Sequence, residues 1–353
     1  MPLPNNIGVI DLFCGVGGLS YGLKQEGLNI IAGFDIDKTC RFAYEYNNEA
    51  KFFDTDIKKV TGEQIRAIFR KSKIKVLAGC APCQPFSSYA FSNKNKDPNK
   101  YDLLYQFGRL INEVRPDIVT MENVTQITQF KLKSVLADFI KLLENLNYHV
   151  SVNKVYCPDY GIPQTRKRLV LIASRLGNIN LIPPTHTSDN YVTVKDTIGD
   201  LPEIKAGEQS VDDPLHKAKA LSELNLRRIR NTPYGGSWKD WPEELKLKCH
   251  KSEAGKSFGS VYGRMVWEQP SPTMTTQCTG LGNGRFGHPI QDRAISVREA
   301  ALIQTFPKSY KFFADEKTVA ITKASRYIGN AVPPKLGEII GKSIIQHLEK
   351  YGK

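Results

Sequence analysis

Over residues 7–175 the chain alternates between two textures. Short apolar runs, IGVIDLF, IIAGFD, KVLAGC, DIVTMENV and RLVLIAS, read as buried strands. Helical patterns lie between them. In FKLKSVLADFIKLLENL, Leu132, Val135, Leu136, Phe139, Ile140, Leu143 and Leu146 recur at helical spacing. Strand–helix alternation over this length predicts an α/β fold, with an open, mostly parallel sheet and helices on both faces. Ligands of such sheets sit at the carboxyl ends of the strands, so the loops after strands are where chemistry is expected.

The texture changes near LIPPTHTSDN (181–190). From there to about residue 295 the chain is richer in Gly, Pro, Trp and Thr, and regular periodicity fades. NTPYGGSWKDWPEEL and MTTQCTGLGNGRFGHP read as loops. This predicts a first domain over residues 1–183 and a smaller, irregular second one with a hinge over 184–317. The end returns to helix, with an apolar stripe of Leu336, Ile339, Ile340, Ile344 and Leu348. That helix, within about 318–353, is expected to pack back onto the first domain.

Composition narrows the class. With 41% hydrophobic residues in 353, the chain can bury a large core. No apolar run approaches the ~20 residues of a membrane span. The start, MPLPNNIGVIDLFCG, shows no basic stretch leading into an apolar one, so we expect no signal peptide and a cytoplasmic protein. The seven cysteines are odd in number and scattered, which favours free thiols over a disulfide framework. The net charge of +13 favours a polyanionic partner. Residues 1–183 carry 24 basic and 17 acidic side chains, 184–295 carry 15 and 14, and 296–353 carry 10 and 5. The excess therefore lies at the two ends of the chain.

VIDLFCGVGGLSYGL puts Gly15, Gly17 and Gly18 between a strand and a helix, where glycines let the backbone turn tightly and approach a ligand. Ser20 replaces the third glycine of a dinucleotide fingerprint. The next strand ends at Asp35, placed to take both ribose hydroxyls of an adenosine. The third ends FFDTDI, with Asp56 placed to accept from an adenine amino group. Each acid alone could be a helix cap or a solvated turn. Three successive strand ends carrying such groups point to an adenosine-bearing cofactor.

The fourth strand leads into VLAGCAPCQPFSSYA. Cys80 and Cys83 have the spacing of a redox or metal pair, yet no neighbouring Cys or His supplies the other two ligands of a zinc site. A thioredoxin-like pair would follow the first strand of a compact domain. Cys80 closes an apolar run, whereas Cys83 lies beyond it, between Pro82 and Pro85. The prolines restrict the backbone on either side, as a directed nucleophile requires. Glu122 ends the next strand, in TMENV, and is a candidate proton donor to a ring nitrogen. GIPQTRKRLVLIAS adds Arg166 and Arg168, which point the same way if the segment is extended. One of them could grip a carbonyl oxygen or a phosphate.

Taken in order, these segments resemble the DNA cytosine-5 methyltransferases over almost the whole chain. DLFCGVGGLS is similar to the family's cofactor loop, APCQPFS to its Pro-Cys-Gln nucleophile motif, MENV to its Glu-Asn-Val motif and QTRKR to its Gln-x-Arg-x-Arg motif. ISVREAALIQTFP resembles the Arg-Glu motif beyond the variable region, and GNAVPP the closing motif. One departure is Ala81, where proline is commoner. The resemblance implies a Rossmann-like methyltransferase domain, a target-recognition domain, S-adenosylmethionine as cofactor and no metal. Phe13 would stack on the adenine, beside Gly15, Gly17 and Gly18 of the loop. Asp35 would hold the ribose, Ile36, Asp56, Ile57 and Leu103 would surround the base, and Asn330 would approach the cofactor or the active site. Cys83 would attack C6 of a flipped cytosine, Glu122 would meet N3, and Arg166 would hold O2. Ser87, Gln164, Arg168, Thr275, Thr276 and Arg285 are expected to touch DNA, with Lys94, Lys96 and Lys100 suited to phosphates. GGSWKDW, TMTTQCTG and GNGRFGHP are the expected contact loops. The expected partners are duplex DNA and, functionally, a cognate restriction endonuclease. The expected state is a monomer.

Two rivals remain in view. A tRNA cytosine-5 methyltransferase would share the motifs, but its Cys-Phe-Thr signature is absent here. An inactive DNA-binding relative would not be expected to keep Cys83, Glu122 and Arg166 together.

Overall fold

A computed structural model describes residues 6–82, 102–128, 132–252, 255, 257–316 and 319–351. The chain divides into two compact units. The first comprises Met1–Tyr156, Lys167–Pro184 and Val332–Lys353; the second comprises Cys157–Arg166 and Thr185–Ala331.

The first unit is built on seven strands: β1 (Ile7–Leu12), β2 (Asn29–Asp35), β3 (Lys51–Asp54), β4 (Ile74–Gly79), β5 (Ile118–Val124), β6 (His149–Tyr156) and β7 (Lys167–Ser174). Their order is β3-β2-β1-β4-β5-β7-β6. The pairs from β3 to β5 are parallel, while β7 runs antiparallel to both β5 and β6. Every residue of β1 is buried, as expected of a strand covered on both faces. The apolar runs read from the sequence all lie in strands. β6, HVSVNKVY, carries no apolar run and had no sequence signal; it is an edge strand with only Val155 buried. The strand order reverses between β1 and β4. Loops leaving their carboxyl ends diverge there and open a crevice.

Helices α1 (Gly18–Gln25), α2 (Arg41–Asn48), α3 (Gly62–Ile68), α4 (Asp102–Val114) and α5 (Leu132–Asn145) join these strands. The apolar stripe of the last helix, α10 (Pro334–Tyr351), is buried at Leu336, Ile339, Ile340, Ile344 and Leu348. It lies so close to α1 that a Cβ on Gly22 would come within 2.0 Å of the Pro334 carbonyl oxygen. Only glycine permits that approach. No helix among the described residues is long and apolar enough to cross a membrane. The six described cysteines are free thiols.

Among its described residues the second unit has four short helices, α6 (Val194–Ile198), α7 (Glu223–Arg230), α8 (Val297–Ile303) and α9 (Ile321–Asn330), with one-turn 3₁₀ helices and isolated bridges. Side-chain clusters replace ladders. Trp238 stacks on His250 at 4.2 Å, and the Arg228 guanidinium lies 5.4 Å from the Trp241 ring centroid. Ser296 and Glu299 form a capping box on α8, and both Glu299 oxygens receive Arg293 nitrogens at 2.7 Å. The division departs from the expected 183/184 and 317/318 boundaries in two places. Cys157–Arg166 and α9 both group with the second unit. For α9 the cause is close packing, since a Cβ on Gly329 would meet the Thr275 backbone at 2.2 Å.

Candidate active site

The loop after β1 is shaped for a ligand. Phe13, Gly15 and Gly17 have φ of 60°, 51° and 92°. A Cβ on Gly15 would meet nothing within 4 Å among the described residues, so this side of the loop is open toward them. On Gly17 it would strike Asn48 Nδ2 at 2.3 Å, so that glycine serves the turn. Gly18 begins α1. The Gly15 and Asp37 amides donate to Asp35 Oδ2 and Oδ1, both at 2.8 Å. Each oxygen keeps a second acceptor position. Burial pushes the Asp35 carboxyl above its ordinary value, and the Asp37 and Gly15 amides pull it back. Ile36 stands beside it, 72% exposed, an apolar surface without cover. Asp56 caps a 3₁₀ turn through the Lys58 amide at 3.0 Å. Leu103 is partly buried against the core, whereas Ile57 is 4% exposed and belongs to the core itself. Ile57 thus supports this wall from behind, where the sequence had suggested a residue facing the base.

Sequence reasoning passed over Asp11. It sits in the middle of an apolar run, and that was the available signal: a carboxylate in a strand covered on both faces. Ser20 donates to its Oδ2 at 2.6 Å, and Tyr44 lies 3.1 Å from Ser20. Oδ1 is buried with no hydrogen-bond partner among the described residues. Burial pushes this carboxyl up to about 7.

The second cluster forms where β4 and β5 end side by side. Their register pairs Gly79 with Met121, so Cys80 and Glu122 follow as neighbours. The Cys80 thiol donates to Glu122 Oε2 at 2.9 Å, and Arg168 Nε lies 2.8 Å from Oε1. Glu122 is 2% exposed. Asn123 adds a bond from Nδ2 to the Ala81 carbonyl at 3.3 Å. Arg168 reaches Glu122 because β7 pairs with β5 at Val124↔Arg168 and Glu122↔Val170, putting both side chains on one face. Cys83 and Ser87 lie outside the described residues. So do Lys94, Lys96 and Lys100.

The profile of the C-5 cytosine-specific DNA methylases matches residues 7–346. The chain belongs to this family. As a DNA cytosine-5 methyltransferase it is 54% identical, over 97% of its length and 96% of the relative, to the Type II methylase M.HgiDII of Herpetosiphon aurantiacus. It is 30% identical to the Type II methyltransferase M.PspPI of a Psychrobacter species, over 96% of this chain and 79% of that one. The fold matches a prophage-encoded DNA modification methyltransferase from E. coli with a TM-score of 0.75 at 24% identity, covering 97% of this chain and 99% of that one. It also matches the S. pombe Dnmt2 methyltransferase, with a TM-score of 0.59 at 20% identity, covering 97% and 98%.

In this methylase the two arginines of QTRKR part company. β7 begins at Lys167, so Arg168 lies in the sheet of the first unit and Arg166 in the second unit. The ion pair with Glu122 is made by Arg168, which had been expected at DNA. Arg166 is 4% exposed, with Nη1 3.4 Å from the Met274 carbonyl. Gln164, also expected at DNA, is fully buried. Both its amide protons are spent, on the Ile303 carbonyl at 3.1 Å and Gln304 Oε1 at 2.8 Å, and its oxygen accepts from Met274 N. Gln304 in turn donates to the Ala331 carbonyl at 2.6 Å. The glutamine pair is a strut tying three motif segments and the TMTTQCTG loop together.

Thr275 and Thr276 are exposed, as a contact loop requires, and Asn330 ends α9 exposed. Arg285 differs from the expectation of a base reader. It is half-buried, and its Nη1 donates to the carbonyls of Gly235, Gly236 and Arg264. In the other two suggested contact loops, Trp238, Trp241, Phe286 and His288 are buried in the second unit's own packing.

Proposed function

We propose that this methylase modifies one cytosine of a specific duplex sequence, as the modification partner of a type II restriction endonuclease, with S-adenosylmethionine as methyl donor. The observation that carries the reading is a buried carboxylate, Glu122, held at the sheet edge by Arg168 and Cys80 within three residues of Pro82-Cys83-Gln84 in the adjoining chain. The residues of the β1 and β2 loops fit an adenosine. Each Asp35 oxygen keeps a second acceptor position for a ribose hydroxyl, Ile36 offers an exposed apolar face, and Gly15 leaves room. S-adenosylmethionine, when bound, supplies an electrophilic methyl group.

The target base leaves the duplex, because C6 is out of reach within the stack. Cys83 gives its proton to solvent, and the thiolate pair forms a bond to C6. The C5=C6 pair becomes C4=C5, the C4=N3 pair moves onto N3, and N3 takes a proton from Glu122. The resulting enamine makes C5 nucleophilic enough to accept the methyl group. Solvent takes the C5 proton, the C–H pair re-forms C5=C6 as the C6–sulfur bond breaks and releases the Cys83 thiolate, and N3 returns its proton to Glu122. Arg168 faces Glu122 through both protonation states and balances the charge it carries between them. Exposed Thr275 and Thr276 lie in the region proposed to read the target, 184–295, which is nearly neutral. The basic ends of the chain suit phosphates.

Labelled-methyl transfer to duplex DNA and to tRNA tests the reading. Incorporation into DNA is expected, and incorporation into tRNA alone overturns it. Cys83→Ala should abolish transfer while cofactor binding by calorimetry persists. Bisulfite sequencing of DNA from cells expressing the protein then reads out the target sequence.

A further inference from the structure

Glu122 has two oxygens, and the strand geometry gives each a different partner. Arg168 Nε, on β7, faces Oε1 at 2.8 Å. Cys80, on the opposite side of β5, donates its thiol proton to Oε2 at 2.9 Å. The contact is set by register, since Gly79 pairs with Met121 one step earlier. It is reinforced one step later, where Asn123 Nδ2 reaches the Ala81 carbonyl. Cys80 and Ala81 are therefore stitched to Glu122 and Asn123 immediately before the chain enters Pro82-Cys83.

We propose that Cys80 is a positioning residue for methyl transfer. Its thiol orients the Glu122 carboxyl and steadies the negative charge that appears on Oε2 when the proton moves to the cytosine ring nitrogen. Arg168 meets Oε1 as an ion pair without a hydrogen bond, which leaves the carboxyl free to pivot about its Cγ–Cδ bond; the thiol donor on Oε2 removes that freedom. A thiol suits the position because it is a weak donor. It favours one orientation without holding the proton-bearing oxygen away from the incoming base. The inference rests on the reading of Glu122 as the ring-nitrogen partner.

The test compares Cys80→Ala, Cys80→Val and Cys80→Ser in the full chain. Three measurements are made on each: steady-state methyl transfer, melting temperature, and release of tritium from the cytosine C5 position of DNA without methyl donor. The loss of one neutral hydrogen bond predicts a fall of about three- to tenfold in kcat and in tritium release for Ala and Val. KM for DNA should stay within about twofold, and Ser, which restores a donor, should recover at least about half the rate. Rates for Ala or Val within about 1.5-fold of the parent would refute the proposal. So would Ser falling as far as Ala, or a loss confined to KM, since either outcome points to packing. Glu122→Gln is the separate control. If it keeps the parental rate, the role of Glu122 itself fails; if it falls while Cys80→Ala does not, only the role of Cys80 fails.

Discussion

Each unit of this methylase buries a glutamate facing an arginine, and the two pairs are built differently. In the second unit Glu299 is saturated. Arg293 meets both oxygens at 2.7 Å, and Oε2 also takes the Ser296 amide at 2.6 Å. Burial raises its carboxyl, but the Arg293 bonds and charge outweigh that and hold it below the ordinary value. In the first unit Glu122 has one guanidinium nitrogen on one oxygen and a thiol on the other. Asp11, nearby in sequence to the glycine loop, keeps a buried oxygen without a partner among the described residues. A carboxylate that joins loops to a helix uses all its acceptor positions in a fixed geometry. One that must meet a ligand or exchange a proton keeps weaker or vacant ones, at some cost in stability.

The largest expected effect breaks the saturated pair. Arg293→Ala leaves Glu299 buried without its cation, which should cost about 3–5 kcal/mol. All three tryptophans, Trp238, Trp241 and Trp267, lie in the second unit. Their fluorescence in a urea titration reads this loss, and an unchanged midpoint would dismiss the pair as a scaffold.

Next comes pH, which should act on the two units with opposite sign. His288 is 2% exposed, and burial pushes it down to about 4 from an unfolded value near 6.5. Between those values the unfolded chain binds more protons. The second unit is therefore most stable above pH 6.5 and weakens as pH falls toward 4. Asp11 is pushed up to about 7 from 3.8, so its folded form holds the proton over that window. Its contribution is greatest below pH 3.8 and is lost as pH rises through 7. The shifts are worth on the order of 3 kcal/mol for His288 and 4 kcal/mol for Asp11. His288→Gln should flatten the acid limb in tryptophan fluorescence. Asp11→Asn should flatten the alkaline limb in hydrogen exchange of β1; a parallel response of both units would contradict the assignment.

A smaller effect, on rate alone, sharpens the contrast. Glu122→Gln should lower kcat by about 100-fold, as expected for loss of a proton donor, while the urea midpoint moves little. A normal rate would remove Glu122 from the chemistry, and a large stability loss would make it a scaffold like Glu299.

Much of this was legible in one sequence. The apolar runs marked five of the seven strands, because strands buried on both faces must be apolar throughout, and FFDTDI marked β3. β6 escaped because an edge strand has no such need. Asp35 and Glu122 could be placed at strand ends, and the stripe of α10 announced a buried helix. What spacing alone could not say was which of Arg166 and Arg168 belongs with Glu122. Two residues apart, they would share a face on one strand, but β7 starts between them. Gln164, Arg285 and the tryptophan loops looked polar or exposed for the same reason. Irregular segments bury their side chains through contacts distant in sequence, and no local period reports that.

The sequence by itself determined the family, the order of its motifs and the sheet that carries them, since local periodicity and ordered motifs are properties of the chain alone. Tertiary structure decided the partners. The parallel register of β4 with β5 and the antiparallel register of β7 bring Cys80 and Arg168 to the two oxygens of Glu122. Those residues are 42 and 46 positions from it along the chain, and only strand pairing makes them neighbours.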